Sequence, residues 1–359
     1  MKARLLKLSV VLVSTLLALL ACELALRGVF RAQGKDVTAY RPAAAYADTQ
    51  STSARFTSHP FLPYAPRPND RRTLTLYRPE TGRAYSTAYR LNSLGFRGPD
   101  LPFEKPAGVK RIVCLGGSTT FDGFTEAETW PARLEARLRS RGYNVEVINL
   151  GVDMAASPTS LVNLTFVGLE YRPDLVISYD GVNDATLVGY AGQLPDYRNV
   201  YGKFDDSYRP WQASVPRRLL EHSYLVTWVT FRLDGGRSDL GSQVMKVGEL
   251  PASPDSLDGV RLFERNLKLM RAVSREYGAK FLAATAHWAR PDGKVRALND
   301  ELRRFYAAEE IDYVDLDAQL PPGQELHTDA AHWTREGIEA VAAALETKIV
   351  SGGLLDSGG

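Results

Sequence analysis

Short apolar runs at residues 111–115, 145–150, 175–179, 280–285 and 313–316 alternate with stretches whose apolar residues recur every three and four positions. Runs of that length read as buried strands, and the stretches between them, near residues 128–141, 157–171, 258–277, 294–309 and 334–349, read as amphipathic helices. Strands alternating with helices build a parallel sheet covered by helices. The expectation is an α/β fold: a three-layer α/β/α sandwich with a central parallel sheet.

Around that body the sequence changes character. Lys2, Arg4 and Lys7 precede an apolar run at 8–21, the pattern of an export signal or a membrane anchor. Residues 8–22 alone are short for a span, but Ala25, Leu26, Val29 and Phe30 extend the run if Glu23 sits at the interface. The length argument favours a retained anchor over a cleaved signal, and the body then lies outside the cytoplasm. Leu19-Leu20-Ala21-Cys22 also resembles a lipoprotein processing box, so lipidation at Cys22 stays open. The second cysteine, Cys114, falls in an apolar strand and reads as a buried small side chain, so no disulfide framework is expected.

Residues 1–31 are thus a signal or anchor, and 32–105 a linker, running to about Pro68, followed by a β-hairpin around Pro79-Glu80-Thr81-Gly82. The tight turn Asn92-Ser93-Leu94-Gly95-Phe96-Arg97-Gly98 comes next, with Phe96 expected to dock on the body. Residues 106–351 are the main domain and 352–359 a flexible tail. At about 185–257 the strand and helix rhythm fails, and Tyr190, Tyr197, Tyr201, Tyr208, Trp211 and Trp228 accumulate among Arg, Pro and Gly. That stretch reads either as a lid over the active site or as plain decoration. The net charge of +2, with Lys and Arg scattered, excludes a basic face for nucleic acid.

The chemistry concentrates where strands end. Gly116-Gly117 breaks the first apolar run and delivers Ser118 to a sharp turn, from which both its hydroxyl and its backbone N–H can meet a carbonyl. Alone, such a serine is equally a helix cap. Asn149-Leu150-Gly151 ends the second strand and Asp180-Gly181-Val182-Asn183-Asp184 the third, and ligands of open parallel sheets bind beyond that edge. The N–H groups of Ser118 and Gly151 with the Asn183 amide would form a three-donor oxyanion hole. Asp329 and His332, at the start of the last helix, complete the inventory for nucleophilic acyl chemistry.

With these residues in view, the chain resembles the SGNH hydrolases, also called the GDSL family, across roughly residues 110–350. The matching blocks are 116–121, 149–151, 181–184 and 329–332, in the family's order. The N-terminal segment followed by residues 92–97 is similar to membrane-anchored bacterial members of the cell envelope. Gly116-Gly117-Ser118-Thr119 replaces the Gly-Asp-Ser-Leu of the family name, and Asp122 stands where such relatives often carry glycine. The resemblance implies a flavodoxin-like sandwich and ester cleavage through an acyl-serine. Ser118 would be the nucleophile, His332 the base and then acid, and Asp329 the group that orients His332. An α/β-hydrolase elbow is disfavoured, because Thr120 stands where Gly-x-Ser-x-Gly needs its last glycine.

Other residues compete for these roles. His287 follows the fourth strand and is an alternative base, though it has no carboxylate nearby before Asp292. His327, Asp329 and His332 form a His-x-Asp-x-x-His cluster with no further support as a metal site; neither metal nor cofactor is expected. Asp184 reads as a turn cap or as the group that orients Asn183, and Asp153 as a loop residue. Export together with an aromatic, Arg-rich insertion suggests a short-chain acyl ester, even an O-acetyl group, on a carbohydrate. An O-acyltransferase acting on exported polysaccharide uses the same acyl-serine. A lipase or thioesterase would need an apolar groove, and a non-catalytic carbohydrate-binding protein would keep the fold alone.

Overall fold

A computed structural model of the chain describes residues 2–32, 56–57, 59–78, 83–185, 195–197, 223–225, 228–229, 259–291 and 293–356. The chain divides into two compact units, residues 1–58 with 201–246 and residues 59–200 with 247–359.

The described part of the first unit is dominated by helix α1, Lys2–Ala32. Its stretch Ser9–Val29 has a mean hydropathy of 2.3, long and apolar enough to cross a membrane by length and composition. Exposed Val10, Leu12, Leu16, Leu20 and Leu24 leave it without a polar face, so it reads as a lipid-facing rod or a signal segment rather than a core helix. Cys22 is exposed on it.

The second unit opens with an antiparallel hairpin, β1 (Arg71–Arg78) and β2 (Arg83–Arg90), in the register Arg71↔Arg90 to Arg78↔Arg83. The expected turn residues 79–82 lie outside the described residues. The linker expected to reach Pro68 is already packed at Tyr64, which is buried and donates its hydroxyl to Asp153 O at 2.8 Å. The 92–98 turn is built as its sequence suggests. Asn92 Oδ1 accepts from Leu94 N and Phe96 N, each at 3.0 Å, and Phe96 is buried.

The central sheet contains β3 (Lys110–Gly116), β4 (Val145–Asn149), β5 (Leu175–Tyr179), β6 (Lys280–Ala284) and β7 (Asp312–Val314). All neighbours are parallel, in the order β4-β3-β5-β6-β7. Alternate side chains leave opposite faces of a strand. Ile112, Cys114, Leu175, Ile177, Leu282 and Val314 therefore share one buried cluster with Leu134 and Leu138 of α3 (Trp130–Ser140) and Val341 and Leu345 of α7 (Arg335–Ser351). The opposite face takes α4 (Ser157–Asn163), α5 (Gly259–Glu276) and α6 (Gly293–Ala308), where Phe263, Leu267, Met270, Leu298 and Leu302 are buried. Complete burial of each such aliphatic side chain contributes about 1.5–3 kcal/mol. The expected helix at 157–171 is α-helical to Asn163, then π at Leu164–Gly168 and 3₁₀ at Leu169–Tyr171, and it stops at Arg172 with φ 50°.

Candidate active site

The reversal of crossover direction at β3 places β4 on one side and β5 on the other, the point where a doubly wound sheet opens a crevice at its carboxyl edge. Gly116 ends β3 with φ 152°, and an added Cβ would collide with Tyr179 O at 2.6 Å. Only glycine gives the chain that sharp exit. A single helical turn, α2 (Ser118–Phe121), follows at once, with Ser118 at its first position, where backbone N–H groups have no acceptor within the helix.

Ser118 Oγ lies 2.8 Å from His332 Nε2, and His332 Nδ1 lies 2.7 Å from Asp329 Oδ2. A carboxylate only accepts, so Nδ1 carries the ring proton toward Asp329 and Nε2 is left to accept from the serine hydroxyl. Asp329 Oδ1 is held by Ala331 N at 2.9 Å and His332 N at 2.8 Å, an arrangement the three-residue spacing of Asp329 and His332 makes possible. Thr328 N donates to His332 O at 2.7 Å and closes the loop. Ser118 and Asp329 are buried, and His332 keeps 23% of its side chain exposed, enough to meet a substrate.

The expected oxyanion donors gather around α2. An added Cβ at Gly117 would lie 2.5 Å from Asn183 Nδ2, and one at Gly151 would lie 2.6 Å from Phe121 N. The chain from the second and third strand ends is thus pressed against the turn that carries Ser118. Asn183 Nδ2 donates to Ala155 O at 2.7 Å, and the same nitrogen carries a second proton. Gly151 N donates to Asn149 Oδ1 at 2.9 Å, an engagement that residue types alone do not announce.

Asp184 caps its own turn, taking a hydrogen bond from the Gly181 backbone. Its carboxylate accepts from Ser157 Oγ at 2.6 Å and Ser157 N at 3.1 Å, which ties the third strand end to the loop that bears Ala155. Burial, with Asp180 nearby, pushes Asp184 up to about 7. Burial also raises Asp180, against hydrogen bonds from Ser178 and Ser160 at 2.7 Å.

His287, the alternative base, is turned into the core. Its Nδ1 lies 3.2 Å from His327 Nε2 and its Nε2 lies 3.2 Å from Leu320 O. The two rings stack with centroids 5.0 Å apart, and Trp333 covers both. Burial lowers His287 and brings His327 down to about 4. His327 engages His287 through Nε2 and Gly323 O through Nδ1 at 3.1 Å, and among the described residues no three potential metal ligands converge.

Two further residues close on the nucleophile turn: Asp122, whose type already set it apart in the sequence, and Arg97, which carried no signal there. Asp122 Oδ2 stands 3.4 Å from His332 Nε2, on the side of the ring that meets Ser118. Buried Arg97 donates to Phe121 O at 2.9 Å, Ala88 O at 3.1 Å and Gly123 O at 3.3 Å, fastening the hairpin to the nucleophile turn. A small cleft beside His332 is lined by Tyr85, Asp122, Phe124, Thr328 and Trp333.

The family model of the GDSL-like lipases/acylhydrolases matches residues 114–340, and the chain belongs to that family. It is a serine-hydrolase-type enzyme acting on ester bonds. Solved structures with a similar arrangement include the lipase/acylhydrolase of Enterococcus faecalis, 19% identical, with 67% of this chain and 96% of that chain covered at a TM-score of 0.43. TesA is 16% identical, with 67% and 98% covered at 0.42. The acetyl xylan esterase AlAXEase is 14% identical, with 67% and 99% covered at 0.41. No curated protein sequence matches the chain.

Proposed function

We propose that the protein is an extracytoplasmic esterase that removes a short acyl group, such as O-acetyl, from a carbohydrate through an acyl-Ser118 intermediate. The hydrogen-bonded chain Ser118–His332–Asp329 carries the reading. His332 takes the Ser118 proton as Oγ attacks the acyl carbon and returns it to the leaving alcohol. Asp329 holds the ring in the Nδ1–H tautomer and balances the charge that forms on it. The Ser118 N–H and the Asn183 amide receive the oxyanion, and Gly151 N–H joins them by sharing its proton between Asn149 Oδ1 and the substrate oxygen.

The short acyl chain is supported by the narrow cleft beside His332, walled by Phe124 and Trp333. The carbohydrate is supported by the Tyr, Trp and Arg content of residues 185–257, most of which lie outside the described residues. Aromatic faces stack on sugar rings, and arginines hold polar groups. Retention at the membrane rests on α1, with Lys2, Arg4 and Lys7 on its cytoplasmic end by the positive-inside rule. Steady-state kinetics on acetyl, butyryl and octanoyl aryl esters, and acetate release from acetylated oligosaccharides, test the reading. Activity should fall at least tenfold from acetyl to octanoyl; the reverse order would replace it with a lipase or thioesterase.

A further inference from the structure

Among the described side chains of α1, Glu23 and Leu26 alone are half-buried, three positions apart and so on one face. A segment of the insertion covers Glu23. Its Oε2 accepts from Ser223 Oγ and Leu225 N, each at 2.8 Å, and its Oε1 from Tyr224 N at 2.9 Å. Arg27 Nε donates to Oε1 at 2.8 Å, and the Arg27 guanidinium lies 4.9 Å from the centre of the Tyr224 ring. The Glu23 side chain is left 14% exposed. Tyr224, Leu225, Trp228 and Val229 are helical, and Val229 is exposed.

Between Lys7 and Arg27 the sequence carries one charge, Glu23. At 1.5 Å per residue that stretch of α1 rises about 30 Å, the thickness of a bilayer's hydrocarbon core. With α1 retained in the membrane, the reading proposed above on which this inference rests, Lys7 and Arg27 mark the two boundaries. Glu23 then lies about 6 Å inside the outer one. A lone carboxylate at that depth is costly, and charges persist there where they are paired and hydrogen-bonded. Arg27 supplies the countercharge and the segment from Ser223 to Leu225 supplies three donors. A hydrogen bond spans about 3 Å, so those donors share the depth of their acceptor. They sit at the boundary of headgroups and acyl chains, where amphipathic helices lie about 5–10 Å deep and where Tyr and Trp are favoured.

We infer that the segment bearing Ser223, Tyr224, Leu225, Trp228 and Val229 is a second membrane-contacting element, tied to α1 by Glu23, whose partner is the outer-leaflet interface of the bilayer. Tyr224 and Trp228 are of the residue types that settle at that level, and Val229 offers an apolar surface beside them. Detaching the segment would leave the Glu23 carboxylate short of three donors at the edge of the hydrocarbon. Tyr224 and Trp228 are thereby assigned to lipid rather than to substrate.

The test places a fluorophore on the full-length protein in vesicles of phosphatidylcholine and phosphatidylglycerol. Cys22→Ser leaves buried Cys114 as the remaining cysteine, and Val229→Cys or Leu16→Cys then supplies one exposed thiol for the label. Lipids that carry a nitroxide near the headgroup or deep in the acyl chain quench a label at their own depth. The label at 229 should lose about half its emission to the shallow nitroxide and less to the deep one. The label at 16, near the middle of the span, should show the reverse order. Glu23→Ala removes the acceptor, and shallow quenching at 229 should fall about twofold with quenching at 16 unchanged. Deep quenching at 16 with no quenching at 229 overturns the inference and leaves retention of α1 standing. Shallow quenching at 229 that Glu23→Ala does not change overturns the tie through Glu23. No quenching at 16 overturns retention in the membrane, and this inference with it.

Discussion

Gly117→Ala is a perturbation whose effect the structure allows to be worked out. Gly117 has φ −83° and ψ −150°, an extended conformation with negative φ, so alanine is not forced into the left-handed region and the contacts of its methyl group dominate the outcome. The new methyl group would sit 2.5 Å from Asn183 Nδ2 and 2.7 Å from Ala155 O, whereas ordinary contact begins at 3.4 Å. Asn183 must retreat by about 1 Å, far enough to break its bond to Ala155 O and to withdraw the amide from the carbonyl oxygen it is proposed to hold. Loss of the buried bond should cost about 1–3 kcal/mol of stability. Loss of one oxyanion donor should cost about 10²–10³ in kcat with KM little changed. Steady-state kinetics on an aryl acetate and thermal melting read the two effects separately. Asn183→Ala should show a similar kcat loss, and the double variant should be little worse than Asn183→Ala alone, since both changes remove the same donor. A Gly117→Ala enzyme with kcat within threefold of wild type, or losses that multiply in the double variant, would refute the reasoning.

Asp329→Asn can keep its oxygen on Ala331 N and His332 N and turn its NH₂ toward Nδ1. That forces the Nε2–H tautomer, and kcat should fall about 10³–10⁴-fold, measured with the same ester. Asp184 sits in the fold at about 7 against an ordinary 3.8, so its neutral form stabilises the protein at low pH and that stability is lost as pH rises through about 7. His327, at about 4 against 6.5, acts in the opposite sense, its contribution being lost as pH falls from 6.5 toward 4. Asp184→Asn removes the first limb and exposes the second. Its stability relative to wild type should improve by about 4 kcal/mol between pH 4 and pH 8, and urea unfolding at both pH values checks this. Arg97→Lys supplies a single ammonium where a fork serves Phe121 O, Ala88 O and Gly123 O, and should lower stability by about 3 kcal/mol along with kcat, read by melting and kinetics.

The sheet was legible in the sequence because its inner strands are buried on both faces and appear as mainly apolar runs, as in Leu175–Tyr179, which is buried throughout. Strand ends were legible as well, since an apolar run stopping at Gly116 or at Asn149 marks the carboxyl edge of the sheet. The convergence of Ser118, Asp329 and His332 followed from that edge together with the family resemblance. Arg97 and Arg111 were not legible, because a guanidinium in a sequence gives no sign of burial. Arg111 nonetheless lies fully buried in β3, bonded to Glu146 and to the carbonyls of Pro102, Phe103 and Tyr171. Asn149 read as the strand end that opens the block 149–151, yet its side chain holds Gly151 N, a backbone contact that residue types alone do not specify. Tyr64 was hidden in a stretch rich in Pro and Ala, where one aromatic residue makes no periodic pattern. Asp122 stood out by its type, and its approach to His332 needed the fold.

The central claim is that Ser118 is the group that takes the acyl chain. Hydrolysis of a short-chain aryl ester by the wild type and by Ser118→Ala tests it most directly, with folding of the variant checked by its melting curve. Ser118→Ala should keep its fold and lose at least about 10³-fold in kcat; a folded Ser118→Ala protein that turns over the ester within tenfold of wild type would remove Ser118 from the chemistry.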